Sequence, residues 1–230
     1  MSTANPAVRV DASAPSARAA FIRQTYFHVA LAIAAFAVLE WLLLQWPGAD
    51  DLAATMTGGY SWLIVLLVFM FVSRIADRWA RSSTSIGMTY LGLGLFVVAE
   101  AVLFLPLLYR VTRQGEDVLR SAALITTLMV AGLTAVVVLT RTDFSFLRSA
   151  LTIGGFVALG LIVASIVFGF SLGIIFAVVM VAFASGSILY NTSNIMRTYR
   201  TDQSVAAALS LFASIALLFW YVVSIMSRRR

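Results

Sequence analysis

Apolar positions gather into seven stretches, at 24–46, 60–79, 86–109, 119–140, 145–169, 171–196 and 204–226, with polar residues confined to the gaps. Each stretch holds roughly 20 or more mostly apolar residues, enough for a helix to cross a hydrocarbon core of roughly 30 Å. Lipid offers backbone groups no hydrogen-bond partner, so the pattern predicts helices. The expected fold is an all-α integral membrane protein, a bundle of seven transmembrane helices. Short gaps make consecutive helices antiparallel neighbours. Pro47-Gly48 closes the first span, Gly58-Gly59 precedes the second, and the chain at 169–173 reads as a tight turn between the fifth and sixth. Pro106 predicts a kink late in the third. No internal repeat is visible, which weighs against an inverted-repeat transporter.

Little chain remains outside the spans. Residues 1–20 are rich in Ala, Ser and Pro and cannot bury a core, so they read as a disordered cytoplasmic arm. The transmembrane domain runs over 21–227, and Arg228-Arg229-Arg230 forms a basic tail. The first apolar run is too long for a cleaved signal and reads as its own insertion signal. Composition agrees with a lipid environment: 61% hydrophobic residues, 11% charged, and a mean hydropathy of +0.97.

The chain has no cysteine, which excludes disulfides, thiol chemistry, haem-thiolate and cysteine-based metal centres. All 16 basic residues are arginine, giving a net charge of +6. In a soluble chain that balance would suggest nucleic acid. Here the arginines sit at span ends, where they orient the protein, and no nucleic-acid partner is expected. With a cytoplasmic N-terminus, the inner side holds Arg9, Arg18, Arg23, Arg74, Arg78, Arg81, Arg141, Arg148, Arg197 and Arg200. Arg110, Arg113, Arg120, Asp50, Asp51 and the arginine tail fall outside. The tail runs against the positive-inside tendency; either the tendency is overridden there or the last segment does not fully cross.

Small residues at four-residue spacing mark faces for close helix approach. Ala150, Gly154 and Ala158 form such a stripe on the fifth span, Ala182 and Gly186 on the sixth, and Ala206, Ser210 and Ser214 on the last, with Ala213 beside them.

Ionisable groups inside spans are costly and mark candidate functional positions. Glu40 in the first span and Glu100 in the third lie at similar depth, roughly 20–25 Å from the inner ends at 1.5 Å per residue. Equal depth permits the two carboxyls to meet, and paired carboxylates in low dielectric do not both ionise easily. The alternative is two separate, interface-facing glutamates. Toward the inner end lie His28, Arg74 and Asp77, with Ser187, Asn191 and Asn194 along the sixth span; Ser214 lies roughly 15 Å into the last. These either line a polar vestibule or are satisfied singly, by snorkelling and by helix–helix hydrogen bonds.

Enzymatic readings find little support. One histidine and no cysteine leave no metal cluster and no Cys–His pair. Ala184–Ser187 reads ASGS, similar to the serine turn of an intramembrane protease, but His28 on the first span is the lone histidine available as its base. No aspartate pair lies within the spans. The chain reads as a non-enzyme without cofactor or bound metal.

Three stretches carry a family resemblance. FIRQTYFHVALAIAAFAVLEWLL (Phe21–Leu43) is similar to an opening arm and first span. LTRTDFSFLRSALTIGGFVALGLIVASIVF (Leu139–Phe168) is similar to a basic-Asp turn entering a Gly-rich fifth span. SGSILYNTSNIM (Ser185–Met196), followed by AALSLFASIALLFWYV (Ala207–Val222), is similar to a sixth and seventh helix. In this order they resemble the bacterial branch of the Bax inhibitor-one family. The resemblance implies six helices around a central last helix, in a bacterial inner membrane, and a calcium leak gated by protons at two aspartates. Those positions fall on Asn191 and Ser214, so both carboxylates are missing. Asparagine keeps the shape of aspartate but takes up no proton near neutral pH, and serine is smaller and neutral.

Two functions follow as expectations. One is a leak channel for calcium, another cation or protons, with Asn191, Ser214, Glu100, Glu40, Arg74, His28 and Asn194 as pore or gate residues. The other is a non-conducting regulator that binds a membrane protease or another membrane protein, as the resemblance also implies.

Overall fold

In the computed structural model, which describes residues 8–82, 85–113 and 115–228, regular structure is almost wholly helical. The elements are α1 (Pro15–Gln45), α2 (Ala49–Thr57), α3 (Ser61–Ala80), α4 (Ile86–Thr112), α5 (Glu116–Thr140), α6 (Leu147–Phe168), α7 (Gly173–Arg197) and α8 (Ser204–Ser227). Seven of these coincide with the apolar stretches to within a few residues at nearly every end. Six helices, α1 and α4–α8, are long and apolar enough to cross a membrane. Helix α3 carries Arg74, Asp77 and Arg78 within its 20 residues and qualifies only together with α2, from which it turns by 98°.

Helix α2 lies in the gap between the first two apolar stretches, at 47–59. Ala49, Ala53 and Met56 are buried at helical spacing, while Asp50 and Asp51 occupy the first turn, where carboxylates complement the helix dipole. The run is too short to resemble a span, so its periodicity is hard to see. The turns behave as expected: Gly59, Gly169 and Gly173 adopt positive φ at 52°, 71° and 67°. Helix α4 runs continuously through Pro106.

The expectation of a disordered arm fails for residues 8–20. A single turn at Val10–Ala12 precedes α1, whose helix begins nine residues before the apolar stretch does. Val10 is fully buried and its N–H donates to Tyr199 O at 2.9 Å, while Thr201 N–H donates to Val8 O at 3.1 Å. Arg18 donates to Met196 O at 3.2 Å, on the last turn of α7. The link between α7 and α8 has unpaired backbone groups that must find partners. Residues 8–18 supply them, a long-range pairing that local composition does not reveal. Residues 1–7 and Arg229-Arg230 of the tail lie outside the described residues.

Helix α8 packs against α1, α3, α4, α5 and α7. Fifteen of its residues are buried, on every side of the helix, as a helix apolar all round requires. Helix α6 makes its substantial contact with α7 alone. Gly154 of α6 meets the Phe183 ring, and Gly186 of α7 meets Leu151. Two other small residues of these stripes, Ala150 and Ala182, are exposed and take no part.

The tightest crossing is one the small-residue patterns did not single out. A Cβ on Gly92 of α4 would stand 2.5 Å from Ala80 N and 2.6 Å from Ala76 O of α3. Gly92→Ala is expected to push α3 and α4 apart at a cost of about 1–3 kcal/mol, read as a lower midpoint of thermal unfolding in detergent. Gly94→Ala, which meets nothing within 4 Å, should leave the midpoint unchanged. Matching midpoints for Gly92→Ala and the parent would show the crossing to be loose.

Candidate functional site

Asn191 and Ser214 come together. Asn191 sits on α7 and Ser214 on the facing side of α8, so the Asn191 Nδ2 amide donates to Ser214 Oγ at 2.8 Å and to Ser210 O at 3.1 Å. Ser214 Oγ donates in turn to Ser210 O at 3.2 Å. The polar chain continues toward the N-terminal arm: Tyr199 OH donates to Ser210 Oγ at 3.0 Å. The Arg81 guanidinium stands 6.0 Å from the Tyr199 ring centre and holds both oxygens of Asp77 at 2.9 Å. Tyr199 and Arg81 were not legible as site residues, since both lie outside the spans and only the fold brings them to Ser210.

Glu40 and Glu100 lie on α1 and α4, which pack against each other. Both are buried. Neither oxygen of Glu40 has a hydrogen-bond partner among the described residues. Glu100 also lines a cavity of about 530 Å³ between α3, α4, α6, α7 and α8. Beside these acids an aromatic cluster joins the three helices: Phe36 of α1 lies 5.0 Å from Phe104 of α4 and 6.1 Å from Phe212 of α8, and Phe96 lies 6.1 Å from Phe212.

The amide–hydroxyl pair and the aromatic cluster therefore lie on two faces of α8. Phe212 points toward α1 and α4, whereas Ser210 and Ser214 point toward α7. Two residues along a helix amount to about 200° of rotation, so the faces are nearly opposite.

The remaining predicted residues do not assemble into one vestibule. His28 Nε2 pairs with Tyr90 OH at 3.0 Å, tying α1 to α4. Arg74 is exposed on α3. Asn194 accepts from Thr198 Oγ1 at 3.3 Å, and Ser187 donates to Phe183 O at 3.1 Å, both within their own stretch of chain. A further hydroxyl group escaped the sequence reading: buried Tyr26 of α1 faces Thr134 of α5 and Thr192 of α7 without completing a hydrogen bond to either. Threonines at these spacings read as ordinary helix residues until the three helices meet.

The turn between α5 and α6 is fastened to α7. Asp143 Oδ1 accepts the Ser145 N–H at 2.9 Å, Phe144 N–H donates to Ser193 Oγ at 3.2 Å, and Arg197 donates to Arg141 O.

The family model for the inhibitor of apoptosis-promoting Bax1 matches residues 18–230, nearly the whole chain. The chain is 31% identical over 203 residues to the Pseudomonas aeruginosa protein PA2604, covering 86% of this chain and 84% of the relative. It is 30% identical over 219 residues to the Arabidopsis thaliana protein LIFEGUARD 4, covering 92% and 85% respectively. The chain belongs to the Bax inhibitor-1 family. The two positions where the resemblance places the family's aspartates, Asn191 and Ser214, thus stand in direct contact, with an amide–hydroxyl bond where two carboxyls are implied.

In this Bax inhibitor-1 family chain an acid remains at the membrane surface. Asp143 is exposed, and its carboxyl is held below the usual range, first by the Ser145 backbone N–H and then by the Ser145 hydroxyl, with Arg197 and Ser193 adding to the effect. A lowered folded-state value contributes stability that is complete above the ordinary aspartate value of about 3.9 and is lost as pH falls below it. Between about pH 5 and pH 2.5, the parent should therefore lose slightly more thermal stability than Asp143→Asn. Parallel losses in the two proteins would show that this turn does not depend on the Asp143 charge.

Proposed function

We propose that this chain is a seven-span cation or proton leak of the bacterial inner membrane, with its N-terminus cytoplasmic and α8 at the centre of the bundle. Its proton response passes through Glu40 and Glu100. The observation that carries this reading is Glu40, buried with both oxygens unpartnered among the described residues, on a helix packed against the one that carries the buried Glu100. A lone buried carboxylate is strongly disfavoured, and two close ones more so. Such a pair is a natural place for a proton to enter or leave as pH changes. The packing of α8 against five helices supports its central position, and the arginine distribution supports the orientation.

In this reading the phenylalanines beside the acids close the path. Apolar constrictions gate by excluding water, and Phe36, Phe96, Phe104 and Phe212 fill the space where α1, α4 and α8 meet. Ionisation of the pair raises the cost of that dry environment and favours a wetter arrangement. A hard cation such as calcium prefers carboxylate oxygens, which the acid pair can offer and the Asn191–Ser214 pair cannot. The Asn191 face then serves as a fixed fastening between α7 and α8.

Purified protein in liposomes is expected to pass calcium or protons with a rate that varies between about pH 5 and pH 8, because a carboxyl changes its ionised-to-protonated ratio about tenfold per pH unit. Glu40→Gln and Glu100→Gln should each flatten that dependence. If both variants keep the parent's profile, the acid pair is not the sensor. Well-inserted parent protein without flux at any pH would instead favour the non-conducting regulator that binds a membrane protease or another membrane protein.

Asn191→Asp tests the other face. A carboxylate 2.8 Å from Ser214 Oγ restores one acid at the family's position and should add pH sensitivity or cation binding. A variant whose flux equals the parent's at every pH would place Asn191 off any conduction path.

A further inference from the structure

The packing leaves one side of the bundle open. Among the described residues, helix α6 leans on α7 alone, and no substantial contact joins it to α3 or α4. Between them lies the cavity of about 530 Å³ that contains Glu100. It shares Trp62, Ile166 and Trp220 with a second space of about 410 Å³, so the two form one groove. Each is within the roughly 300–1,000 Å³ of small-ligand sites. The walls are mainly aromatic and aliphatic. The ring planes of Trp62 and Trp220 are 6.0 Å apart in centre and nearly parallel, which gives the groove a rigid flat side.

Charge is distributed unevenly along it. Arg110, in the last turn of α4, lines the smaller space, and Arg228, just beyond α8, lines the larger. Both arginines are exposed and lie where α4 and α8 end. The described acids nearest those ends in sequence or topology, Asp50, Asp51 and Asp117, line neither space. Deeper in, the groove meets Glu100 and the unpartnered hydroxyl of Ser73. An anionic head is drawn to the arginine end and kept from the Glu100 end, while a hydrocarbon chain matches the wall between.

We propose that this groove between α3 and α6 is a binding site for an anionic phospholipid, with its phosphate against Arg110 and Arg228 and one acyl chain along Trp62, Ile166 and Trp220. Arginine suits this role because its planar fork meets two phosphate oxygens at once, and basic sites between transmembrane helices hold anionic headgroups in the same way. The inference is independent of whether the protein conducts.

The test uses full-length protein in which Trp41, Trp46 and Trp79 are replaced by Phe, leaving Trp62 and Trp220 as reporters. It is placed in phosphatidylcholine vesicles with increasing fractions of phosphatidylglycerol or phosphatidylcholine brominated on the acyl chain. Brominated phosphatidylglycerol should quench at a mole fraction about twenty-fivefold lower than brominated phosphatidylcholine, given about fivefold for each of the two arginines. Arg110→Gln and Arg228→Gln should each lose about fivefold of that preference and together erase it, while Arg113→Gln keeps it. Ser165→Phe, which fills the groove, should remove the high-affinity quenching. The same quenching curve for both headgroups reduces the groove to ordinary lipid contact and overturns the proposal. A double arginine variant that retains the preference overturns it as well.

Discussion

A helix in lipid closes its own backbone hydrogen bonds but leaves its polar side chains to find partners elsewhere, and this requirement decides where α8 must lie. Ser210 and Ser214 stand on one face of that helix, Phe212 and Phe219 near the opposite one. Its run of Ala206, Ala207 and Ala208 offers too little side chain to hold a lipid-facing position by itself, and all three are wholly buried. The serines are met by the Asn191 amide of α7, and the phenylalanines interlock with Phe36, Phe96 and Phe104 of α1 and α4. Once α8 is enclosed in this way, α1, α4 and α7 have fixed neighbours. The link from α7 to α8 is then sealed by residues 8–18, whose backbone completes what the helix ends leave open.

The two polar pairs differ in the physical work they can do. Asn191 and Ser214 are a donor and an acceptor in good geometry, and neither changes charge near neutral pH. A hydrogen bond of this kind between membrane helices contributes about 0.6 kcal/mol on average, enough to fix register but not to respond to protons. The acids Glu40 and Glu100 differ in kind: both are buried, and neither oxygen of Glu40 has a partner among the described residues. The Asn191–Ser214 bond therefore holds α7 to α8 without a titratable group. The acids retained in the bundle belong to a different helix pair.

The spans were legible in the sequence because apolar length is a property of each segment alone. The ends of α3 and α8 were readable to within a residue. The pairing of Asn191 with Ser214 was legible only through family resemblance, while equal depth along two helices put Glu40 and Glu100 on helices that pack together. What stayed hidden depends on neighbours distant in the chain. Helix α2 buries three residues against partners that composition does not name, and Val10 reads as an arm residue until Tyr199 arrives to accept its N–H. Arg74, attractive as a charge within a span, turns to the exposed side of α3, because α3 packs on α4 through Ala76 and Ala80. The close approach at Gly92 was equally invisible, since no repeating small-residue stripe surrounds it.

Glu100 connects features that would otherwise be separate. It lies on α4, which packs on α1, and also opens onto the groove left by α6, so its surroundings are set partly by packed protein and partly by whatever fills that groove. The energetic cost of charge at Glu100 depends on the polarity and packing of both sides. A hydrocarbon chain along Trp62 and Trp220 keeps the groove dry and penalises ionisation, while an emptier or wetter groove relaxes that penalty. With a lipid in the proposed site, lipid occupancy and charge at Glu100 would be linked: what favours a filled groove disfavours the charged carboxyl, and reciprocity requires that its ionisation weaken the hold on the chain. The weakly attached position of α6 therefore has a consequence at the middle of the bundle, although α6 itself contributes no ionisable group to it.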